Sequence, residues 1–191
     1  MPVYYTDALL TQVYTNGEGG VTVYVNWGAK GYRLPTEAEW EKAARGGVSG
    51  HRFPWSDSDT INWSRANYYA NPLSAGGYAY DVNPTEGYNP TGTNGGYPYT
   101  TPVGSFAANG YGLYDMAGNV FQWCWDWYDG AYYSSSPGTD PHGPLPGSRR
   151  VFRGGYGYGN AYYCRAALRR DIYPTYRDYY VGFRSVLPSG Q

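Results

Sequence analysis

The chain has 191 residues, 14 basic and 15 acidic, with a formal net charge of −1, and it is rich in aromatic residues (19%), glycine (28) and proline (14). The length suits one domain, and neither the near-neutral charge nor any long apolar stretch gives reason to expect nucleic acid, an anionic membrane or membrane insertion. Because aliphatic residues are few, tryptophan and tyrosine must form much of the core, and the glycine and proline content predicts a loop-rich α+β fold.

The N-terminal part carries one strong local signal and two weaker ones. The first residues, MPVYYTDALL, lack the charged leader and apolar region of a signal peptide. Residues 7–14 (DALLTQVY) are expected to form a short helix, and residues 21–25 (VTVYV) alternate as a strand does. In LPTEAEWEKAARGG, Thr36 and Glu39 have the spacing of a capping box and Gly46 suits the left-handed position after a helix, so a helix is predicted between them.

The middle of the chain has little periodicity. Residues 67–102 are rich in Gly, Asn, Pro, Tyr and Thr, which predicts a long ordered loop region over the core, with disorder as the alternative. Two further short strands are predicted at residues 148–155 (SRRVFRGG) and 181–186 (VGFRSV).

One strand pattern is dominated by tryptophan. In residues 118–129 (GNVFQWCWDWYD), Trp123, Trp125 and Trp127 recur with period two, which is typical of a strand. Their large rings would fill one face, and core packing is favoured over a carbohydrate-stacking site.

The cysteines and histidines offer little for metal chemistry. Cys124 and Cys164 either form one bridge or remain two buried thiols. His51 and His142 are the two histidines of the chain, so no zinc cluster is expected.

Three stretches resemble the formylglycine-generating enzyme family. They are YRLPTEAEWEKAARGG (32–47), NGYGLYDMAGNVFQWCWDWY (109–128), and RVFRGG with CRAALR and VGFR (150–184). The domain of that family is a variant of the C-type lectin fold, so the resemblance implies this fold for one domain over residues 1–191. The N-terminal strands that the family usually carries before the first motif are largely missing, which suggests a shortened version.

The resemblance also raises an enzymatic alternative. Enzymes of this family oxidise a substrate cysteine with a copper-binding cysteine pair placed shortly after the Arg-Gly-Gly. Counting forward from Gly155 places the pair at Gly159 and Cys164, and counting back from Pro174 moves the second position to Ala161. Neither count gives two thiolates. We therefore predict no catalytic residue and no cofactor, and a formylglycine-generating oxidase that acts on a peptide cysteine is the alternative function.

The family also carries a calcium ion close to the tryptophan-rich strand. Asp115, Gly118 and Val120 occupy matching positions, but Gln122 replaces the acidic ligand and removes a charge. We therefore predict no metal site, although bound calcium near Asp115 stays open.

The C-terminal part contains clusters of tyrosine. Residues 151–186 contain eight tyrosines, and Ala161, Cys164, Pro174 and Arg177 separate the clusters. Sixteen positions make up the clusters: Tyr156, Gly157, Tyr158, Gly159, Asn160, Tyr162, Tyr163, Arg170, Asp171, Ile172, Tyr173, Thr175, Tyr176, Asp178, Tyr179 and Tyr180. Every one of these residues can be coded by AAC or by a codon reached from AAC by changing adenines alone. Lys, Glu, Gln, Met and Trp cannot be reached in this way, and none of them occurs in residues 151–186.

This arrangement resembles the variable proteins of diversity-generating retroelements, which reuse the same lectin-type fold. In that family, adenine-directed mutagenesis rewrites a C-terminal repeat whose altered positions form a ligand-binding surface on a rigid frame. The resemblance implies that residues 151–186 are a variable ligand-binding region and that the sixteen positions are the site. The expected partner is a protein or cell-surface ligand, bound without catalysis by a protein displayed on a virion or cell surface. A structural component of a virion or cell envelope is a further alternative.

The clustered tyrosines are predicted to face outward. A tyrosine ring gives contact area at low ordering cost, whereas inward packing would leave eight hydroxyls seeking buried partners. The residues between the clusters are expected to form the frame. We expect inward packing of Ala166, Leu168, Val181 and Phe183, and we expect Arg153, Arg165, Arg169, Arg177 and Arg184 to hold loop carbonyls or acidic side chains such as Asp126 and Asp129. Direct contact between an arginine and an anionic partner is the alternative for these residues, and Arg170 is set apart from them because it lies among the sixteen positions.

Overall fold

Short strands and two helices, joined by long loops, make up the computed structural model, which describes residues 1–15, 17, 21–93 and 99–188. In chain order the elements are β1 (Tyr4–Tyr5), β2 (Tyr24–Val25), α1 (Glu37–Arg45), β3 (Tyr69–Ala70), β4 (Gly87–Tyr88), α2 (Pro90–Thr93), β5 (Phe121–Trp127), β6 (Arg150–Arg153), β7 (Arg170–Ile172) and β8 (Val181–Gly182). Single 3₁₀ turns occupy Leu73–Ala75 and Tyr132–Ser134. The predicted α+β class is confirmed. Within the described ranges, every helix is too short or too polar to cross a membrane.

A four-stranded sheet with the order β7-β6-β5-β8 forms the centre of the fold. Strands β5, β6 and β7 pair antiparallel, whereas β8 runs parallel to β5, with Phe121 opposite Val181. Since β7 and β8 lie at opposite edges, residues 173–180 must run from one edge of the sheet to the other. This connection places the last tyrosine clusters beside the sheet.

Helix α1 has the ends that its sequence predicts. The Thr36 hydroxyl accepts from the Glu39 amide at 3.2 Å, and the Glu39 carboxylate accepts from the Thr36 amide at 2.8 Å, which completes the capping box. Gly46 ends the helix with a φ of 57°, where a side chain would be strained. The helix buries Trp40 and Ala44 against β5 and β6.

The core consists of two clusters of buried residues. One contains Phe53, Ile61, Ala66, Tyr68, Ala70, Ala117, Ala161 and Cys164, and the other contains Trp40, Ala44, Met116, Cys124, Val151 and Ala166. Alanine supplies six of these fourteen residues, whereas tryptophan and tyrosine supply only Trp40 and Tyr68, so the expectation that these two types form much of the core is only partly met. Further tryptophans and tyrosines pack around the clusters as half-buried residues: Trp55, Trp63, Tyr78, Tyr80 and Tyr128.

The predicted helix at residues 7–14 is wrong. The Asp7 carboxylate accepts from the backbone amides of Leu9, Thr11 and Gln12, at 2.9, 3.1 and 2.6 Å, and so closes a turn. An aspartate that binds nearby amides in this way competes with helix formation. The chain then returns to pair with β1, with Val13 opposite Tyr5. The strand predicted at residues 21–25 is present only as its last two residues, β2.

The orientation of the tryptophan-rich strand differs from the prediction. Strand β5 exists, but its buried positions include Cys124 and Asp126, while Trp123, Trp125 and Trp127 lie on the half-buried face. These rings do not fill the core. They are covered from outside, because Tyr4 stacks on Trp125 at 5.8 Å and the Arg150 guanidinium lies 3.7 Å from the Trp127 ring centre. A period of two in the sequence shows that residues alternate between the two faces of a strand. It does not show which of the two faces packs against the core.

The loop region of residues 67–102 is ordered where it is described, as predicted. It contains β3, β4, α2 and a 3₁₀ turn, and it buries Tyr68, Asp81 and Asn89. Residues 94–98 lie outside the described residues. The predicted strands at 148–155 and 181–186 are present as the shorter β6 and β8.

The expectation that Phe183 packs inward is wrong. Ala166 and Leu168 are buried and Val181 is half-buried, but the Phe183 ring is 73% exposed. Strand β8 ends at Gly182 and forms the edge of the sheet, so the residue after it is not held against the core. Phe183 instead lines an apolar surface groove beside Trp123.

Candidate ligand-binding surface

The sixteen predicted site positions lie in three consecutive segments. Residues 154–169 connect β6 to β7, β7 itself contributes residues 170–172, and residues 173–180 connect β7 to β8. Ring contacts join clusters that are separate in the sequence, because Tyr156 contacts both Tyr163 and Tyr180. The assignment of these positions as a binding site stays a prediction.

None of the eight clustered tyrosines is buried. Those that are exposed are Tyr158 (43%), Tyr162 (37%), Tyr173 (54%) and Tyr179 (38%), and those that are half-buried are Tyr156, Tyr163, Tyr176 and Tyr180. This placement agrees with the predicted outward orientation and disagrees with inward packing. We call these eight residues the tyrosine surface.

Tyr156 connects the tyrosine surface to the core. Its ring centre lies 4.9 Å from that of the buried Phe121, 5.9 Å from that of Tyr163 and 4.8 Å from that of Tyr180. Burial and the neighbouring phenols raise the pKa of Tyr156 to about 12, so its hydroxyl stays a neutral donor at physiological pH. The Tyr156 ring therefore links Tyr163 and Tyr180 to the buried Phe121.

The hydroxyl groups at the far end of the surface are already paired with one another. Tyr176 donates to the Asp178 carboxylate at 2.6 Å, and its oxygen lies 2.5 Å from the Tyr180 hydroxyl. The Asp178 carboxylate accepts this hydrogen bond and thereby raises the pKa of Tyr176. Asp178 also accepts from the Tyr179 amide at 2.8 Å. These contacts order the loop before β8.

Two arginines stack on rings of the surface. The Arg165 guanidinium lies 3.9 Å from the ring centre of Tyr162, and its Nε donates to the Tyr162 carbonyl at 3.1 Å. The exposed Arg170 lies 5.6 Å from the ring centre of Tyr163. A ligand that covers these rings would also meet positive charge.

The remaining site positions differ in accessibility. Asp171 forms an ion pair with Arg149 at 3.0 Å, and the same guanidinium lies 4.6 Å from the ring centre of Tyr173. Thr175 is exposed, whereas Ile172 and Asn160 are half-buried.

Two of the predicted site residues contribute no surface. Gly157 and Gly159 are both buried. A β-carbon at Gly157 would lie 2.4 Å from the Tyr99 carbonyl oxygen, and the Gly157 amide donates to the Asn119 carbonyl at 2.9 Å. At Gly159 the added atom would lie 2.4 Å from the ring of Tyr156, which is itself packed on Phe121. Gly157 therefore acts as part of the frame rather than as a displayed position.

Tyrosines outside the predicted site extend the surface. The ring centre of Tyr158 lies 5.1 Å from that of Tyr88 and 5.9 Å from that of Tyr99, and Tyr162 stacks on Tyr78 at 6.2 Å. These three partners belong to the loop region of residues 67–102. Its tyrosine content was visible in the sequence, but only the fold shows that the rings meet the clusters.

Four of the five frame arginines hold the loops, as predicted, but with other acidic partners than Asp126 and Asp129. Arg169 binds both carboxylate oxygens of Glu37 at 2.7 Å and the Asp129 carbonyl at 3.1 Å. Arg153 is buried between Glu37 and Glu41. The other two, Arg165 and Arg184, donate to backbone carbonyls. Arg177 is exposed, and no hydrogen bond or ion pair holds it within the described ranges.

The cysteines do not fit the copper pair that the family resemblance implies. Cys124 and Cys164 are both free and both fully buried, and they belong to different core clusters. Burial raises the pKa of both thiols, which disfavours the thiolate that Cu(I) needs.

The residues near Asp115 do not fit a calcium ion. The Asp115 carbonyl accepts from the Gln122 amide at 2.7 Å and from the Arg184 guanidinium at 3.2 Å. A calcium ion needs oxygen ligands with free lone pairs. Here a guanidinium cation and an amide N–H face the carbonyl that would bind the ion.

This loop-rich frame with its aromatic surface is a C-type lectin-like domain of the type found in formylglycine-generating enzymes. Residues 18–188 match the Sulfatase-modifying factor enzyme 1-like domain (FGE-sulfatase). The chain belongs to this family.

Similar proteins include enzymes and a variable protein. The chain is 42% identical over 168 residues to the formylglycine-generating enzyme of Streptomyces coelicolor. This match covers 85% of the present chain and 48% of the enzyme. Its structure is similar to that of Treponema denticola variable protein 1, with a TM-score of 0.62 and 34% identity over 85% of this chain and 50% of that chain. It is also similar to PvdO from Pseudomonas aeruginosa, with a TM-score of 0.60 and 28% identity over 82% of this chain and 52% of that chain. The chain spans about half the length of the curated relatives it matches.

The tyrosines should differ in their effect on stability. Tyr173→Ser and Tyr179→Ser should each change the free energy of unfolding by at most about 0.5 kcal/mol, since both rings are exposed. Tyr156→Ser should cost about 2 kcal/mol because that ring packs on Phe121. Urea unfolding followed by tryptophan fluorescence measures all three. Equal losses at the three positions would contradict the distinction.

Proposed function

We propose that this protein binds a protein or cell-surface ligand without catalysis, through a tyrosine surface that a diversity-generating retroelement has diversified. The observation that carries this proposal is that all eight clustered tyrosines lie outside the core, whereas Ala161, Cys164, Ala166 and Leu168, which stand between the clusters, are buried. The similarity to Treponema denticola variable protein 1 supports it. The proposed site comprises the sixteen predicted positions except Gly157 and Gly159, whose burial assigns them to the frame.

The chemistry of the surface suits recognition of a macromolecule. Tyrosine supplies a rigid apolar ring with one hydroxyl, and the neighbouring Asn160, Asp171 and Thr175 add polar groups that adapt to different partners. If two or three exposed rings act as anchors, each would contribute about 2 kcal/mol to binding. A modest contact area would then give useful affinity.

A binding surface whose side chains vary needs a frame that folds whichever side chains it carries, and the contacts of the frame arginines fit this requirement. Arg169 ties the segment before β7 to Glu37 on helix α1, and Arg165 ties the preceding loop to the Tyr162 carbonyl. Neither contact needs a particular side chain at the clustered positions. The proposed binding surface also includes tyrosines that should not vary. Tyr78, Tyr88 and Tyr99 lie outside residues 151–186, and their rings contact rings of the clusters.

Sequencing sibling copies of the gene tests the proposal. We expect differences to be concentrated at the displayed positions of residues 151–186, and few or none at frame positions such as Ala161, Cys164 and Arg169. A nearby template copy should carry AAC codons at the clustered positions. Differences spread evenly over the 191 residues, or enriched at buried positions, would contradict it.

The oxidase function remains the second candidate, because the chain resembles proteins named formylglycine-generating enzyme at 42% identity. It requires stoichiometric uptake of Cu(I) and conversion of a cysteine in a peptide substrate. The separate burial of Cys124 and Cys164 argues against both. A Cu(I) titration of the purified protein followed by mass spectrometry of a cysteine peptide distinguishes the two candidates.

A further inference from the structure

A buried group of hydrogen bonds surrounds the side chain of Gln122, at the start of β5. Gln122 is 4% exposed. Its Oε1 accepts from the Trp40 indole N–H at 2.8 Å and from Arg184 Nε at 2.5 Å. Its Nε2 donates to the Asp115 carbonyl at 2.7 Å. The side chain thus connects helix α1, the loop before β5 and the segment after β8.

The partners leave one possible orientation for the amide. An indole N–H and a guanidinium N–H can only donate, so the amide oxygen of Gln122 must face Trp40 and Arg184. The amide NH₂ must then face the Asp115 carbonyl. Arg184 adds a positive charge at the same place, because its Nη2 lies 2.9 Å from the Tyr114 carbonyl and 3.2 Å from that of Asp115.

The loop that these donors hold has an unfavourable conformation. Asp115 has a φ of 54°, a left-handed value that costs energy for a residue other than glycine. Its Oδ2 accepts from the Gly104 amide at 2.7 Å, whereas its Oδ1 is buried without a hydrogen-bond partner among the described residues. A buried carboxylate oxygen without a donor is a free acceptor for a cation.

We propose that the Gln122 amide and the Arg184 guanidinium hold this loop in place of a calcium ion, and that replacing the donor at position 122 by a carboxylate is enough to let calcium bind although Arg184 remains. Gln122→Glu would replace the NH₂ donor by a carboxylate oxygen directed at the Asp115 carbonyl. Two acceptors would then face each other beside the unpartnered Oδ1 of Asp115, while the other carboxylate oxygen would keep its contacts with Trp40 and Arg184. A divalent cation that prefers oxygen ligands would relieve this repulsion.

The experiment compares thermal unfolding of the wild-type protein and of Gln122→Glu in calcium chloride and in EDTA, with calcium titration by calorimetry. The wild-type Tm should be the same in both solutions, and no calcium should bind. The Tm of Gln122→Glu should fall in EDTA and rise by about 5 °C or more in saturating calcium. Gln12→Glu is the matched control, because it makes the same chemical change at an exposed position and should leave Tm insensitive to calcium. Sodium chloride at matched ionic strength is the salt control.

Three results would overturn the proposal. Stoichiometric binding of calcium to the wild-type protein would show that the amide and guanidinium do not replace the ion. A folded Gln122→Glu variant without any response to calcium would show that the residue at position 122 does not determine whether the site binds calcium. A variant that stays unfolded even in calcium would contradict the proposed stabilisation by the ion. In that case the wild-type titration still tests whether the Gln122 amide and the Arg184 guanidinium replace calcium.

Discussion

Replacing Arg153 by alanine should destabilise the fold by about 3–5 kcal/mol, which is the largest effect that we expect from a single change. Arg153 is fully buried at the end of β6, directly before the tyrosine-rich segment. Its Nη2 donates to the Glu41 carboxylate, its Nε lies 3.5 Å from a Glu37 oxygen, and its guanidinium lies 5.3 Å from the ring centre of Trp40. Removing the cation takes the buried partner from two carboxylates of α1 and leaves Glu37 with Arg169 alone and Glu41 with Arg45 alone.

Urea unfolding measures this loss, with Arg149→Ala as the matched control. Arg149 also pairs with a carboxylate, that of Asp171, but its side chain is exposed, so its loss should change stability little. Combining Arg153→Ala with Glu37→Gln should cost less than the sum of the single changes, because either change alone already removes the attraction between these two charges. A small loss for Arg153→Ala, similar to that of Arg149→Ala, would contradict the structural role of the buried guanidinium.

The stability of the protein should fall as the pH rises towards neutrality, and Asp126 should be the main cause. Asp126 is buried on the inner face of β5, where it accepts from the Glu37 amide at 2.6 Å. Burial, with the nearby Glu37 carboxylate, raises the pKa of Asp126 to about 7. In the unfolded chain the same group loses its proton near its ordinary pKa of about 4. The folded state therefore holds the extra proton between these two values.

This difference fixes the sign and the range of the pH effect. The contribution of Asp126 is fully present below about pH 4 and is lost as the pH rises through about 7. The loss should amount to about 2–4 kcal/mol between these limits. Asp126→Asn removes the titration but keeps an oxygen for the Glu37 amide, so its unfolding free energy should change much less from pH 5 to pH 8.

Chemical unfolding at a series of pH values tests this expectation. Asp57→Asn is the control, because Asp57 is a surface carboxylate whose pKa the hydrogen-bonded Arg65 lowers. Its contribution has the opposite sign and is lost only as the pH falls below the ordinary range, so that variant should retain the wild-type slope between pH 5 and pH 8. A wild-type profile that is flat over this range would show that Asp126 is ionised in the folded state.

The parts of the fold that sequence predicts correctly depend on short-range chemistry. Thr36, Glu39 and Gly46 mark both ends of α1, because each makes its contact within the helix or its flanking turns. The same reliance on local pattern gives the wrong result at residues 7–14, where the Asp7 carboxylate binds the amides that a helix would need. Two local patterns compete there, and side-chain hydrogen bonding prevails over helical spacing.

The candidate site shows the same division. The clusters and the composition of residues 151–186 were enough to select its sixteen positions, but not to distinguish displayed side chains from buried ones. Gly157 belongs to the frame because the Tyr99 carbonyl occupies the space for a side chain, and Tyr88 extends the surface because a distant loop brings it beside Tyr158. Both facts depend on contacts between segments that are remote in the chain.

By itself, the sequence of this protein determined the family, the position of α1, the strand character of β5 and the alternation of tyrosine clusters with small and basic residues. Tertiary structure alone decided which face of β5 is buried and which carboxylates the arginines bind. Arg153 and Arg169 meet Glu41 and Glu37 across separations of 112 and 132 residues. Local pattern carries no information about such partners, because a buried charge is neutralised by whichever opposite charge the packing of distant segments brings within reach.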